Sequence, residues 1–147
     1  MSPVSSNAIY WISIDKRVQC FDLNGNFLQQ SLANEVGPVY AVSFAASNAS
    51  VLYAVNGYNS RATAQYDKKI YLISTKTGDL VGSINLAPDV RTPHDLALAD
   101  DASEIYIANL NPPVVFKYSL VNYNCKIQYI KFIIILVDDG LIYLNSS

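Results

Sequence analysis

Apolar residues fall along this chain in short runs, many alternating with polar ones, and polar turn residues separate the runs. That is the pattern of strands, and no segment shows a convincing amphipathic helix. Three runs resemble one another: Ala8 to Asp15 (AIYWISID), Val51 to Asn56 (VLYAVN) and Glu104 to Asn109 (EIYIAN). Each carries a tyrosine early and ends on a polar residue. A second strand is expected behind each, at Arg17–Leu23, Lys69–Ser74 and Val114–Leu120. Two of these lead through a turn, Asn24-Gly25-Asn26 or Lys76-Thr77-Gly78-Asp79, into further strands at Phe27–Gln30 and Leu80–Ile84. Glycine supplies the positive φ that a tight hairpin demands, so the turn chemistry agrees with the strands. In the later units Val39–Phe44 and Asp95–Ala99 form a strand ahead of the tyrosine strand.

The repeating unit is therefore four short antiparallel strands. Tyr10 and Tyr53 are 43 residues apart, and Tyr53 and Tyr106 are 53 apart. The excess lies in Gly57 to Asp67, a polar loop with Asn59, Ser60, Arg61 and Thr63. A period of about 40–50 residues with four strands per unit is the signature of a β-propeller blade. A sandwich has similar strand spacing but does not predict the same tyrosine strand three times. The expected fold is all-β, a partial β-propeller of two to three four-stranded, NHL-like blades. Complete propellers close with about 4–8 blades, so such an arc leaves blade faces uncovered.

Composition narrows the function. The chain has 147 residues, 51% hydrophobic and 15% charged, with a net charge of −2. This excludes intrinsic disorder, which needs low hydrophobicity and high net charge. Ten scattered Lys and Arg form no basic run, so no nucleic-acid surface is expected. No stretch approaches the ~20 apolar residues of a membrane helix; Ile127 to Val137 is too short and carries Lys131. The beginning, MSPVSSNAIYWISI, lacks the charged and apolar regions of a signal peptide. Cys20 and Cys125 could pair, but two distant cysteines are no disulfide framework, and both read as small apolar thiols. His94 is the one histidine, which excludes a site of several imidazoles within this chain.

Thr92-Pro93-His94-Asp95 precedes a strand, where the proline fixes the backbone and sets His94 on the inner edge of the blade. Taken alone, a hydrogen-bonded histidine at a strand start is the plainer reading. The stretch PHDLALADDASEIYIANLNPPVVFKYSL, Pro93 to Leu120, resembles the last blade of the peptidyl-α-hydroxyglycine α-amidating lyase family. The matching elements are Pro93-His94-Asp95, Tyr106-Ile107-Ala108-Asn109 and Phe116-Lys117-Tyr118. Upstream, RVQCFDLNGNFLQQ and VLYAVNGYN resemble the family's Arg-Ile-Gln-Cys-Phe and Phe-Ala-Val-Asn-Gly segments. The similarity covers about Ile9 to Leu120. It implies a six-bladed propeller with channel zinc held by three histidines, of which His94 matches the last, while Asp95 matches a calcium-holding carboxylate. The implied reaction cleaves the N–C bond of a peptidyl-α-hydroxyglycine to give a peptide amide and glyoxylate, and the implied setting is secretory.

Departures from that pattern are large. The other two zinc histidines and the active-site tyrosine belong to blades that would precede Ile9. The family's arginine ahead of its Arg-Ile-Gln-Cys-Phe segment meets Ser13 or Ile14, and its methionine before Pro-His-Asp is Thr92. Cys20 matches half of a family disulfide whose partner position, near Ile9, is not cysteine. The expectation is one zinc ligand of three and no catalysis by this chain alone. The alternative is an NHL-type module for protein interaction without chemistry, in which His94 would pack into the strand layer. Open blade edges suit self-association.

The expected propeller arc is 1–120, and 121–147 is a divergent tail, expected as two strands about Asp138-Asp139-Gly140. Its run Ile130 to Val137 is aggregation-prone if exposed. The tail reads as foreign sequence from an alternative or misassigned exon. Asn48-Ala49-Ser50 and Asn145-Ser146-Ser147 are glycosylation sequons, relevant only in the secretory pathway. Asp100-Asp101 is expected to be a solvated turn, and Lys68-Lys69 to guard a strand edge.

Overall fold

The computed structural model describes residues 9–13, 17–32, 36–57, 66–123, 126–137 and 140–145. Among them the chain is all-β, with twelve strands and no helix. They are β1 (Ile9–Ser13), β2 (Arg17–Phe21), β3 (Phe27–Ser31), β4 (Val39–Ala45), β5 (Asn48–Asn56) and β6 (Lys69–Ser74). Then follow β7 (Leu80–Asn85), β8 (Pro93–Leu98), β9 (Glu104–Asn109), β10 (Val114–Tyr123), β11 (Lys126–Val137) and β12 (Gly140–Asn145). They form three meandering antiparallel sheets in sequence order: β1–β3, β4–β7 and β8–β12. The polar loop expected at 57–67 falls largely on 58–65, and the turn at Asp138-Asp139 and Cys125 likewise lie outside the described residues.

Local chemistry accounts for the hairpins. Gly25 and Gly78 take φ of +82° and +77°, the left-handed values that close β2–β3 and β6–β7. Asp22 holds the first of these turns by accepting the Asn24 and Asn26 amides at 2.9 and 2.8 Å. Asp101 in the β8–β9 turn accepts the Ser103 amide at 2.9 Å, so the exposed acidic pair there shapes the turn as well as meeting solvent.

Side-chain alternation then stacks the sheets. On β5, Leu52 and Ala54 enter a core with Val18 of the first sheet, whereas Tyr53 and Val55 enter one with Leu96, Ile105, Ile107 and Phe116 of the third. On β6, Tyr71 and Ile73 face the first sheet and Ile70 the third. A strand of period two buried on both faces requires a neighbour on each side, and the middle sheet has both. Leu52, Ile70, Ile105 and Ile107 have no exposed surface, and each such burial stabilises by roughly 1.5–3 kcal/mol. The first strands of the sheets meet: β4 runs against β8, and β1 against β4. Between sheets, the Ser47 amide donates to the Asp100 carbonyl at 2.8 Å and the Ala87 amide to the Tyr118 hydroxyl at 3.1 Å.

Two local expectations need correction. Pro93 and His94 lie inside β8 rather than ahead of it, because Pro93 already pairs with Asn109. Lys68-Lys69 does not guard an edge, since β6 lies between β5 and β7. The Lys69 amide instead donates to Asn56 Oδ1 at 2.7 Å, and its ammonium lies 3.8 Å from Asp67.

Candidate functional site

The site begins with a fault in two ladders. Val39 pairs with Asn56 and Ala41 with Val55, leaving Tyr40 as the extra residue of β4. Pro93 pairs with Asn109 and Asp95 with Ala108, leaving His94 as the extra residue of β8. Such a bulge takes one residue out of the ladder and re-aims its side chain. Its effect is visible in the packing: Val39, and past the bulge Val42 and Phe44, pack with one core, although strict alternation would have placed Tyr40 there.

Tyr40 and His94 thus hold the same position in neighbouring sheets. Their ring centroids are 5.3 Å apart, with the planes tilted by 48°. His94 is exposed and Tyr40 half-buried. Gly57 makes the arrangement possible: a Cβ there would lie 2.5 Å from the Tyr40 ring and 2.8 Å from the Pro93 carbonyl oxygen. The β5 terminus, the Tyr40 ring and the start of β8 therefore meet where only glycine fits.

A buried asparagine fixes this end of each sheet. Asn56 closes β5 and donates through Nδ2 to the carbonyls of Val36 (2.6 Å) and Asp67 (2.9 Å) while its Oδ1 accepts the Lys69 amide. Asn109 closes β9, accepts the Thr92 amide at 2.8 Å and donates to the Pro112 carbonyl at 2.7 Å. Thr92 is held further: its carbonyl accepts the Leu110 amide at 3.0 Å and its hydroxyl the Asn111 amide at 2.6 Å. Every polar group of the residue two before His94 is tied to 109–111. The shared polar end of the tyrosine strands was the one sequence signal for these asparagines. Nothing in the spacing announced the bulges or Tyr40.

Asp95 is exposed, and its Oδ1 accepts the Leu96 amide at 2.8 Å. On the same outward face, Glu104 pairs with Lys117 and accepts the Tyr106 hydroxyl, and the Lys117 ammonium lies 5.9 Å from the Tyr106 ring centroid. These bonds, that from Lys117 first, hold the Glu104 carboxyl below its ordinary range. Cys20 is a buried thiol in the first sheet.

Among the described residues the donor set does not make up a complete metal centre. A zinc site takes three or four protein ligands and the chain has one imidazole, His94. Calcium takes six to eight oxygens, and among the described residues no three His, Cys, Asp or Glu side chains come together, around Asp95 or elsewhere. Also among the described residues, no helix is long and apolar enough to cross a membrane. The chain matches no known protein-family model, and no curated protein matches it.

Proposed function

We propose that the three sheets are successive blades of a propeller arc of the α-amidating lyase type, contributing one part of a peptide-amidating site and no turnover alone. The observation that carries this is the exposed His94, held by a bulge on the first strand of its sheet rather than packed into the strand layer. Sheets stacked face to face, with first strands side by side, support the propeller half of the reading. In it, 1–120 is the arc, and 121–147 is an addition whose β11 joins the third sheet beside β10. His94 is a zinc donor and Asp95 a calcium donor only where other blades supply the remaining ligands. The substrate class is a peptidyl-α-hydroxyglycine, and the setting is secretory.

The test is zinc content after dialysis, paired with an assay for glyoxylate release from an α-hydroxyglycine peptide. The expected result is no retained zinc, no turnover, and weak zinc binding that His94→Ala abolishes. Stoichiometric zinc with turnover would overturn the claim of an incomplete site and place the missing ligands on a second copy, met through open sheet edges. Zinc binding unchanged in His94→Ala would remove His94 from the site. The second reading, an interaction module without chemistry, is favoured by the Asp95 carboxylate turning back to its own backbone.

A further inference from the structure

We infer that Asn109 is a positioning residue for His94, acting through the Thr92 amide, and that Asn56 is its counterpart for Tyr40. The inference rests on His94 as the ligand-facing residue of the preceding section, but its test needs neither zinc nor substrate. A strand bulge frees a side chain from the ladder, so something other than the ladder must fix where it points. The Pro93–Asn109 and Asp95–Ala108 pairs bracket His94 but leave it unpaired in register. Upstream, the chain is anchored at Thr92 by the 2.8 Å bond to Asn109 Oδ1, and Asn109 is itself 4% exposed. The Asn109 amide nitrogen, bonded to the Pro112 carbonyl, sets the side-chain orientation that keeps Oδ1 toward Thr92.

The same device recurs where nothing but the frame is shared. Asn56, fully buried, holds the Val36 carbonyl, three residues before the bulge pair Val39 and four before Tyr40. Its bonding partners differ from those of Asn109, yet both asparagines end the second strand of a sheet and tie the segment that leads into the first. Two sequences have reached one geometry, the outcome of which is the 5.3 Å Tyr40–His94 ring pair across the sheet junction. A core asparagine kept only for stability would not need to sit beside each bulge.

The lone histidine makes the test direct, because its ring signals in an NMR spectrum have no overlap with another imidazole. In the native chain, nuclear Overhauser contacts between the His94 and Tyr40 rings are expected. Asn109→Ala should abolish those contacts and move the His94 ring shifts to unstructured values while the amide dispersion of the sheets persists. Asn109→Asp, read at mildly acid pH with its carboxyl protonated beside the Pro112 carbonyl, keeps both an acceptor for the Thr92 amide and a donor for that carbonyl, and should retain the contacts. Tyr118→Phe, which removes a hydrogen bond at the other edge of the same core, should also retain them; loss there would mean that general loosening is what separates the rings. A folded Asn109→Ala chain with the ring contacts intact overturns the inference, as does a folded Asn109→Asp chain without them. Were Asn109→Ala unfolded, the Asn109→Asp result would still decide. None of these outcomes depends on zinc, so the failure of the lyase reading would be recognised separately.

Discussion

The second and third sheets share one frame and differ in what they do with their far faces. Leu52, Ala54, Tyr71 and Ile73 of the second match Ile105, Ile107, Phe116 and Tyr118 of the third in register, and all are buried toward the preceding sheet. Toward the following sheet the second presents Val51, Tyr53 and Leu72, which join a core. The third presents Glu104, Tyr106 and Lys117 at those positions, bonded to one another. A repeat with a neighbour on both sides is apolar on both, whereas a terminal repeat carries polar groups on its outer face. Over β9 and β10 the third sheet is polar on the face where the second is apolar, and its bulge carries the histidine where the second sheet carries a tyrosine.

The largest effect should come from the covered face. Phe116→Ala, at 1% exposure, is expected to cost about 3–5 kcal/mol. Val115→Ala, one residue away but half-buried on the outward face, should cost under about 1 kcal/mol. Urea denaturation of the two variants measures the difference. Similar costs would mean that something covers the third sheet on both sides, and the contrast between the sheets would fall.

Asn56→Ala comes next, at about 1–3 kcal/mol, since it strands the Val36 and Asp67 carbonyls and the Lys69 amide together. Asn109→Ala leaves one donor and one acceptor and should cost less by the same measurement. The reverse order would show that the third sheet depends more on its asparagine than the buried second does.

How far these features were legible follows from their range in the chain. Strands such as Glu104–Asn109 and Lys69–Ser74 are written in local alternation, and the structure bounds them at the same residues. Gly25 and Gly78 were legible as turns because their φ is a property of four consecutive residues. The bulges were not, since an extra residue exists only relative to a partner strand. That is why β8 was expected from Asp95 and starts at Pro93. Lys68-Lys69 misled for the same reason: lysine at a strand end is common to edges and interiors, and only pairing with β5 and β7 separates them. The outward polar triad was hidden because Glu104, Tyr106 and Lys117 are distributed over two strands, and their alternation looks like any half-solvated face.

Tyr118→Phe should cost about 1 kcal/mol, by leaving the Ala87 amide without its 3.1 Å acceptor. It also carries a pH signature. Burial pushes the Tyr118 phenol up to about 12 from an ordinary 10.0. A raised value in the folded state means the neutral phenol is favoured there, so its stabilising share is complete below pH 10 and is lost as pH rises from about 10 to about 12. Alkaline unfolding should therefore be less steep in Tyr118→Phe than in the native chain. Equal slopes would assign alkaline unfolding to other tyrosines, of which Tyr71 on β6 is also raised by burial.

The smallest effect belongs to the polar face itself. Glu104 is held below its ordinary 4.5 by the Lys117 bond first and the Tyr106 hydroxyl second. A lowered carboxyl contributes stability that is present above the unfolded value, here 4.5, and is lost as pH falls through the folded one. The pair is partly exposed, with side chains at 33% for Glu104 and 17% for Lys117, so solvent screening limits it to under about 1 kcal/mol. Lys117→Met should therefore leave stability at pH 7 nearly unchanged and flatten its decline below pH 4.5, read from chemical denaturation across that range. Lys at the matching position of the second sheet, Leu72→Lys, should behave in the opposite way, because Leu72 packs against a core that the third sheet covers. An amine placed there loses water without a carboxylate to meet it, since Val51 stands where Glu104 does. If the Leu72→Lys chain were as stable as Lys117→Met, the two faces would be equivalent and the contrast between the sheets would fall.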